Sequence, residues 1–263
     1  MKTGILAVSF GTTYRDTREK NIEALVAAVR ASYPDCPVYQ AYSSGLIRKA
    51  VLAREGLVIF GVGEALLRMK EDGVKRVVLM PTHIIDGIEN HRMKQAAREH
   101  RGDFARMEIS DVLLASEADY GKTALALWEG VREEAGRDPV IFMGHGTTHP
   151  ADESYAKLER ELNRLTDNRV YIATVEGAVT ISDVAARLGS DGRLCGRILL
   201  APLMLVAGDH ARNDMAGEKH SFASKLRALG CRPDCLLRGI GEYEGIRAVY
   251  LEHLGRAMER IRR

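Results

Sequence analysis

Apolar residues follow two regular patterns along this chain. Short runs of β-branched and apolar residues predict buried strands, and longer stretches with apolar residues every three or four positions predict amphipathic helices. The predicted strands are Ile5–Phe10, Val38–Tyr42, Val74–Met80, Arg106–Leu113, Val140–Gly144, Val170–Val175, Gly196–Leu203 and Pro233–Leu237. The predicted helices include Thr17–Ala31, Met93–His100, Ala118–Glu134, Tyr155–Leu165, Ser221–Leu229 and Tyr243–Arg260. Apolar strands that alternate with helices indicate an α/β fold with parallel sheets covered on both faces.

The second half of the chain repeats motifs of the first half in the same order. The matched pairs are Ser9–Thr13 with Gly144–Thr148, Tyr39–Gly45 with Tyr171–Gly177, and Val77–Pro81 with Ile198–Pro202. Gly87 and Gly208 follow the third pair. A repeat of this kind indicates a duplicated structural unit. We therefore expect two similar lobes, residues 1–125 and 126–263, each a parallel sheet flanked by helices.

The two halves carry different side chains at the matched loops. In the second half these side chains can bind a metal: His145, Glu176 and His210. In the first half the same places hold Phe10, Ser44 and, near the third loop, Glu89 with His91. Ligands of open α/β sheets collect outside the carboxyl ends of the strands. We therefore expect the three metal-competent side chains to converge on one sheet edge.

Two imidazoles and a carboxylate suit a metal ion that must later leave. Imidazole binds first-row ions, and open coordination positions let other ligands enter. A neutral imidazole, with an ordinary pKa of about 6.5, also accepts a proton near neutral pH. Adjacent glycines would let a flat ligand approach the backbone. Structural alternatives remain open: His145 as a helix cap, Glu176 as a solvated loop carboxylate and His210 as an N-terminal helix residue.

Composition and charge limit the remaining classes of function. The 263 residues are 46% hydrophobic and 28% charged, as in ordinary globular proteins. A net charge of +2 without a basic block gives no indication of a nucleic-acid partner or an anionic membrane. The N-terminal apolar run, about six residues long, is shorter than the core of a signal peptide. Together with four scattered cysteines, this predicts a cytoplasmic protein without a membrane partner.

Three segments around the candidate metal residues resemble one known family: Gly144–Thr147, Thr174–Gly177 and Pro202–His210. They are similar to the anaerobic sirohydrochlorin cobaltochelatases, the CbiK-like members of the class II chelatases. The resemblance covers nearly the whole chain, including the Ser9–Thr12 turn. It implies a chelatase-like duplicated fold with an active-site cleft between the lobes. It also implies a lyase that inserts Co²⁺, as substrate metal, into sirohydrochlorin for cobalamin biosynthesis, with no ATP and no organic cofactor.

The resemblance also implies roles for individual residues. His145, Glu176 and His210 would bind the metal, and His145 and Glu89 would be catalytic. Substrate-binding positions are expected at the matched loops: Phe10, Thr12, Ser44, Gly146, Gly177 and Gly208. Basic residues near these loops could bind the carboxylates of an acidic tetrapyrrole: Arg15, Arg48, Lys49, Arg54 and Arg212. His91 matches no position of the family pattern.

Three questions stay open at the level of sequence. Imidazole and carboxylate ligands also accept iron and nickel, so a chelatase for either metal on the same class of tetrapyrrole is an alternative. A two-lobed protein that binds metal or haem without catalysis is a second alternative. A homo-oligomer is a common state for such an enzyme, but the sequence does not decide it.

Overall fold

The computed structural model describes residues 1–194 and 196–263, so Cys195 lies outside the described residues. The strands are β1 (Thr3–Ser9), β2 (Val38–Tyr42), β3 (Arg76–Pro81), β4 (Arg106–Ile109), β5 (Val140–Gly144), β6 (Val170–Thr174), β7 (Gly196–Leu203) and β8 (Cys231–Cys235). The helices are α1 (Arg15–Thr17), α2 (Ala24–Ser32), α3 (Gly45–Glu55), α4 (Val62–Glu71), α5 (Ile88–Glu99), α6 (Glu117–Ala135), α7 (Glu153–Leu165), α8 (Ile181–Ser190), α9 (Phe222–Ala228) and α10 (Glu244–Arg262). Two π-helical segments, Arg18–Glu23 and Ala211–Met215, add to these. None of the helices in these ranges is both long enough and apolar enough to cross a membrane.

The strands form two parallel sheets of four strands each. Their orders are β2-β1-β3-β4 and β6-β5-β7-β8, so corresponding strands occupy corresponding places. This common order confirms the duplicated α/β fold that the repeat predicts. In the second sheet Gly144, the last residue of β5, pairs with Thr174 of β6 and with Leu203 of β7. The segments that follow these three strands therefore leave the sheet at the same edge.

Both faces of the second sheet are buried. Ile141 and Met143 of β5 belong to a core that also contains apolar residues of α8 and α9. Val140 and Phe142, which alternate with them along the strand, are also fully buried. Helices α6 and α7 contact β7 and β6. A sheet covered on both faces explains why its strands are apolar at every position.

The first sheet is built in the same way. Leu6 and Val8 of β1 share a core with α4 and α5, while Ile5 and Ala7, the alternate residues of the strand, are equally buried. The hydroxyl of Tyr250 in α10 donates a hydrogen bond of 2.9 Å to the carbonyl oxygen of Thr82, just beyond β3. The last helix is thus anchored to the first sheet.

Several element bounds differ from the predicted ones. Strand β8 begins at Cys231, two residues before Pro233, because an edge strand tolerates a residue without an amide hydrogen. Strand β4 ends at Ile109, since the amide of Leu113 bonds to the carbonyl of His83 and no longer to β3. Helices α3, α4 and α8 lie outside the predicted helical segments.

Contacts between Cα atoms divide the chain into two compact units. The first unit contains residues 1–115 and 247–263, and the second contains 116–246. The expected lobe boundary at residues 125 and 126 falls inside α6, whereas the division by contacts lies just before this helix. The greater part of α10 belongs to the first unit, although α10 is the last helix in the sequence.

Candidate metal site

His145 directly follows β5, in a turn that the fold uses twice. Gly146 adopts a φ of 79°, and Gly11, at the matched place of the first unit, has a φ of 102°. The Nδ1 atom of His145 lies 2.9 Å from the carbonyl oxygen of Gly146. Because a carbonyl oxygen only accepts, Nδ1 carries the proton of the neutral ring and Nε2 has the lone pair. The ring is 44% exposed, so Nε2 is available to a ligand.

Glu176 is held beside His145 through the backbone. Its amide donates to the carbonyl oxygen of His145 at 2.8 Å, and the amide of Val175 donates to that of Gly144 at 3.1 Å. The Glu176 carboxylate, 62% exposed, lies 3.9 Å from His145 Nδ1. It also borders a cavity of about 600 Å³, which gives the side chain room to rotate.

His210 reaches the same place from the segment after β7. The rings of His145 and His210 meet edge to face, with centroids 4.8 Å apart and an interplanar angle of 89°. His210 Nδ1 lies 2.7 Å from Oδ2 of Asp214. The carboxylate accepts the Nδ1 proton, so Nε2 again has the lone pair. Each imidazole therefore has its lone pair on Nε2, the nitrogen farther from its own backbone.

The carboxylate of Asp152 joins the two loops that carry His145 and Glu176. One oxygen accepts from the amide of Thr147 at 3.0 Å, and the other accepts from the amide of Ala178 at 2.9 Å. Below the first loop, burial raises the pKa of Tyr155 to about 12. Tyr155 is therefore neutral at physiological pH, and the negative charge of the site comes from carboxylates.

The three candidate ligands are near one another but do not yet surround a common point. Within residues 1–194 and 196–263, no three His, Cys, Asp or Glu side chains form a ready metal-binding group. The side chains of His145, His210 and Glu176 are between about one third and two thirds exposed. Binding of one metal ion by all three would therefore require at least one of these side chains to change its conformation.

At two of the positions predicted to bind substrate, close packing by itself requires a glycine. A Cβ on Gly146 would lie 2.2 Å from the amide nitrogen of Gly177, and a Cβ on Gly177 would lie 2.4 Å from a carboxylate oxygen of Asp152. Gly208 is buried, and its carbonyl accepts from the amide of Arg212 at 3.1 Å. Their contact with substrate stays a prediction.

The candidate residues of the first unit lie at the matching edge of its sheet. The hydroxyl of Ser44 caps α3 by accepting from the amide of Ile47 at 3.3 Å. Thr12 is buried, and its hydroxyl accepts from the amide of Tyr14 at 3.2 Å. Phe10 is 46% exposed although its ring is apolar. Of these residues, Phe10 presents the surface best suited to a flat ligand.

Glu89 lies in the first turn of α5. Its carboxylate accepts from the hydroxyl of Ser43 at 3.3 Å and from the guanidinium of Arg92 at 2.6 Å. His91, which the family pattern leaves unassigned, is exposed with Nε2 3.4 Å from Asp86. Arg92 is therefore the charged partner of Glu89, whereas His91 lies beside a different carboxylate, that of Asp86.

Two of the basic candidates are engaged in ion pairs. Arg15 bonds to Glu19 at 2.8 Å, and Arg48 bonds to Glu64 at 2.6 Å. Lys49 and Arg54 are exposed on α3. Lys49 and Arg54 therefore remain the more accessible candidates of α3 for substrate carboxylates.

Sequence reasoning missed Asp152 and Asp214. Asp214 follows His210 by four residues in a helical segment, a spacing at which side chains meet, so this contact had a local signal. Asp152 had none, because its two amide partners come from separate loops. Only the packing of β5 against β6 brings those loops together.

Comparisons with known proteins agree with one another. A family model described as cobalt chelatase (CbiK) matches residues 3–259. A sirohydrochlorin cobaltochelatase of Salmonella typhimurium is 35% identical over 261 residues, covering 98% of this chain and 97% of the relative. The sirohydrochlorin cobaltochelatase CbiKC of Nitratidesulfovibrio vulgaris is 34% identical, covering 99% of this chain and 92% of the relative. The structure of SirB from Bacillus subtilis with Fe³⁺ shares the fold, with a TM-score of 0.70, 14% identity and coverage of 98% and 96%.

Proposed function

The chain belongs to the cobalt chelatase (CbiK) family, and on this basis we propose a metal site and a mechanism for its insertion of Co²⁺ into sirohydrochlorin. His145 and His210 bind the incoming Co²⁺ through Nε2, and the carboxylate of Glu176 completes the protein ligands. One observation carries the assignment. The two imidazoles lie 4.8 Å apart, and both have Nδ1 bonded to an oxygen acceptor.

The ligand set suits a metal that is substrate rather than resident. Three protein ligands leave coordination positions open, through which the ring nitrogens can enter. The single carboxylate offsets part of the charge of the cation, and the imidazoles favour borderline ions such as Co²⁺ over Mg²⁺ or Ca²⁺. Because all three side chains are partly exposed, the metal can be transferred to the ring nitrogens of the tetrapyrrole without unfolding of the site.

Insertion exchanges one Co²⁺ for two pyrrole N–H protons, and no atom is oxidised or reduced. While His145 binds the metal, its Nε2 lone pair is occupied. As Co²⁺ passes to the ring nitrogens, this lone pair is released and takes up one pyrrole proton. His145 is thus metal ligand first and base second.

We assign the second proton to Glu89. Its carboxylate lies at the carboxyl edge of the first sheet, and the hydroxyl of Ser43 and the guanidinium of Arg92 hold it in place. Replacement of Glu89 by Gln keeps the size and removes the base. We expect this variant to bind Co²⁺ as wild type does but to insert it more slowly.

The reaction requires only the protein, the metal and the tetrapyrrole. Insertion needs neither ATP nor an organic cofactor, so added ATP leaves the rate unchanged. We place the enzyme in the cytoplasm, where its cysteines stay reduced. Light scattering would measure whether the enzyme forms a homo-oligomer.

The test of the proposed function is metal insertion by single-site variants. With sirohydrochlorin and limiting Co²⁺, His145→Ala lowers the rate of the absorption change by at least about 100-fold. His220→Asn is the matched control: His220 is exposed in the same unit, and asparagine tolerates its φ of 58°. Full activity of His145→Ala would contradict the assignment.

Two alternatives are separated by the same assay. Fe²⁺ and Ni²⁺ at the free concentration used for Co²⁺ give the metal preference, which we expect to favour Co²⁺. A protein that binds metal or haem without catalysis would bind the components yet leave insertion at the rate of the protein-free control.

A further inference from the structure

Asp214 is the closest polar partner of His210. Its Oδ2 atom lies 2.7 Å from Nδ1 of the imidazole, within the range of a strong charge-assisted hydrogen bond. The exposed fractions of the two side chains are 37% for His210 and 44% for Asp214. A contact this short between partly exposed groups depends on the backbone that presents them.

That backbone is a π-helical segment. His210 is the N-cap residue of Ala211–Met215, with helical φ and ψ of −57° and −42°. The amide of Arg212 donates to the carbonyl oxygen of Gly208, so helical hydrogen bonding begins after the short loop that follows β7. Ala211 and Met215 are fully buried and fix the segment against the sheet, which directs Asp214 toward the ring of His210. Short π-helical segments often mark functional positions.

We propose that Asp214 is a positioning residue that fixes the tautomer and orientation of His210, so that Nε2 faces the substrate metal. The inference rests on the proposed function. A carboxylate cannot donate, so it selects the ring with the proton on Nδ1 and the lone pair on Nε2. Carboxylates that bond to the far nitrogen of a metal-binding histidine also make the ring a stronger donor toward the metal.

Asp214 and Gly146 play parallel parts at the two imidazoles, with one difference. The carbonyl oxygen of Gly146 accepts from His145 Nδ1 and is neutral, whereas the Asp214 carboxylate is charged. His210 is therefore the better metal donor of the pair, and His145 is the ring that more readily gives up the metal. Asp214 thus acts on the affinity for Co²⁺ and not on the proton transfer itself.

Two variants separate position from charge. Asp214→Leu removes the acceptor, while Asp214→Asn keeps an oxygen that can accept from Nδ1. We expect the dissociation constant for Co²⁺, measured from the visible absorption of the bound ion, to rise about 10–100-fold in Asp214→Leu. Asp214→Asn restores most of the affinity. KM for Co²⁺ rises in parallel, while kcat at saturating Co²⁺ stays near wild type.

A tautomer measurement distinguishes positioning from a merely structural role. Nitrogen-15 NMR of the imidazoles at about pH 8, where an ordinary imidazole is neutral, identifies His210 by its loss in His210→Gln. We expect the Nδ1–H form in wild type and Asp214→Asn, and a mixture in Asp214→Leu. An unchanged tautomer and unchanged Co²⁺ affinity in Asp214→Leu would overturn the inference. If His210→Gln itself binds Co²⁺ as wild type does, the proposed metal site fails instead.

Discussion

A methyl group on Gly146 would lie 2.2 Å from the amide nitrogen of Gly177. The loop that carries His145 and the loop that carries Glu176 therefore touch backbone to backbone, and no side chain fits between them. The amide of Glu176 also bonds to the carbonyl of His145. The separation of these two candidate ligands is set by main-chain packing.

Gly146→Ala should disturb both stability and metal binding. The added Cβ must displace the Gly177 backbone, and the φ of 79° is unfavourable for alanine. We expect the free energy of unfolding to fall by about 3 kcal/mol, from strain and overpacking together. Urea unfolding measures the stability, and Co²⁺ titration measures the site.

Gly192→Ala is the matched control for this prediction. Gly192 has a similar φ of 69°, but a Cβ there would meet no atom of residues 1–194 and 196–263 within 4 Å. The free energy of unfolding of Gly192→Ala should fall by only about 1 kcal/mol, because of the unfavourable backbone conformation alone. This variant should bind Co²⁺ as wild type does. If the free energy of unfolding fell equally in the two variants, the contact with Gly177 would contribute nothing to the destabilisation of Gly146→Ala.

Asp152 should prove necessary for the same arrangement. An asparagine offers one acceptor oxygen, whereas the two amides of Thr147 and Ala178 need one each. Asp152→Asn should therefore cost about 1–3 kcal/mol of stability and slow the insertion of Co²⁺. Glu153→Gln, a change of the exposed neighbour, is the control for lost charge. If both variants insert Co²⁺ equally well, Asp152 does not hold the ligand loops.

His83 should make the stability of the protein sensitive to mild acid. Its two ring nitrogens are buried and have no hydrogen-bond partner within the described part of the chain. Burial lowers the pKa of His83 from 6.5 to about 4. Below pH 6.5 the unfolded chain takes up a proton that the folded protein excludes, so stability falls as the pH falls toward 4. The loss from this group reaches about 3 kcal/mol.

The variant His83→Leu tests this contribution. Its unfolding free energy, followed by urea denaturation from pH 7 to about pH 4, should fall less steeply than that of wild type. His220→Asn, which changes an exposed histidine, should keep the wild-type slope. Parallel curves for wild type and His83→Leu would show that His83 is not kept neutral by burial.

The repeat in the sequence predicted the fold because matched strands must occupy matched places in a duplicated sheet. The bounds of Val38–Tyr42, Val140–Gly144 and Gly196–Leu203 are those of the structure. The predicted last strand begins at Pro233, whereas β8 begins two residues earlier, because an edge strand tolerates a residue without an amide hydrogen. Local patterns also could not place α10 with the first sheet, because Tyr250 meets Thr82 only through tertiary packing.

The same limits apply to the candidate site. The ends of β5 and β7 lie side by side, so a strand-end argument brings His145 and His210 to one edge. It does not give the orientation of a ring, which depends on Gly146 and Asp214. The Gly146 carbonyl becomes a partner through the geometry of a turn, which leaves no residue pattern, whereas the four-residue spacing of His210 and Asp214 is a local signal.

Anomalous diffraction at the cobalt absorption edge, from crystals soaked in Co²⁺, tests the central claim most directly. We predict one strong peak within about 2.0–2.2 Å of Nε2 of His145, Nε2 of His210 and a carboxylate oxygen of Glu176. A cobalt ion held by other residues, with these three side chains unchanged, would contradict the account.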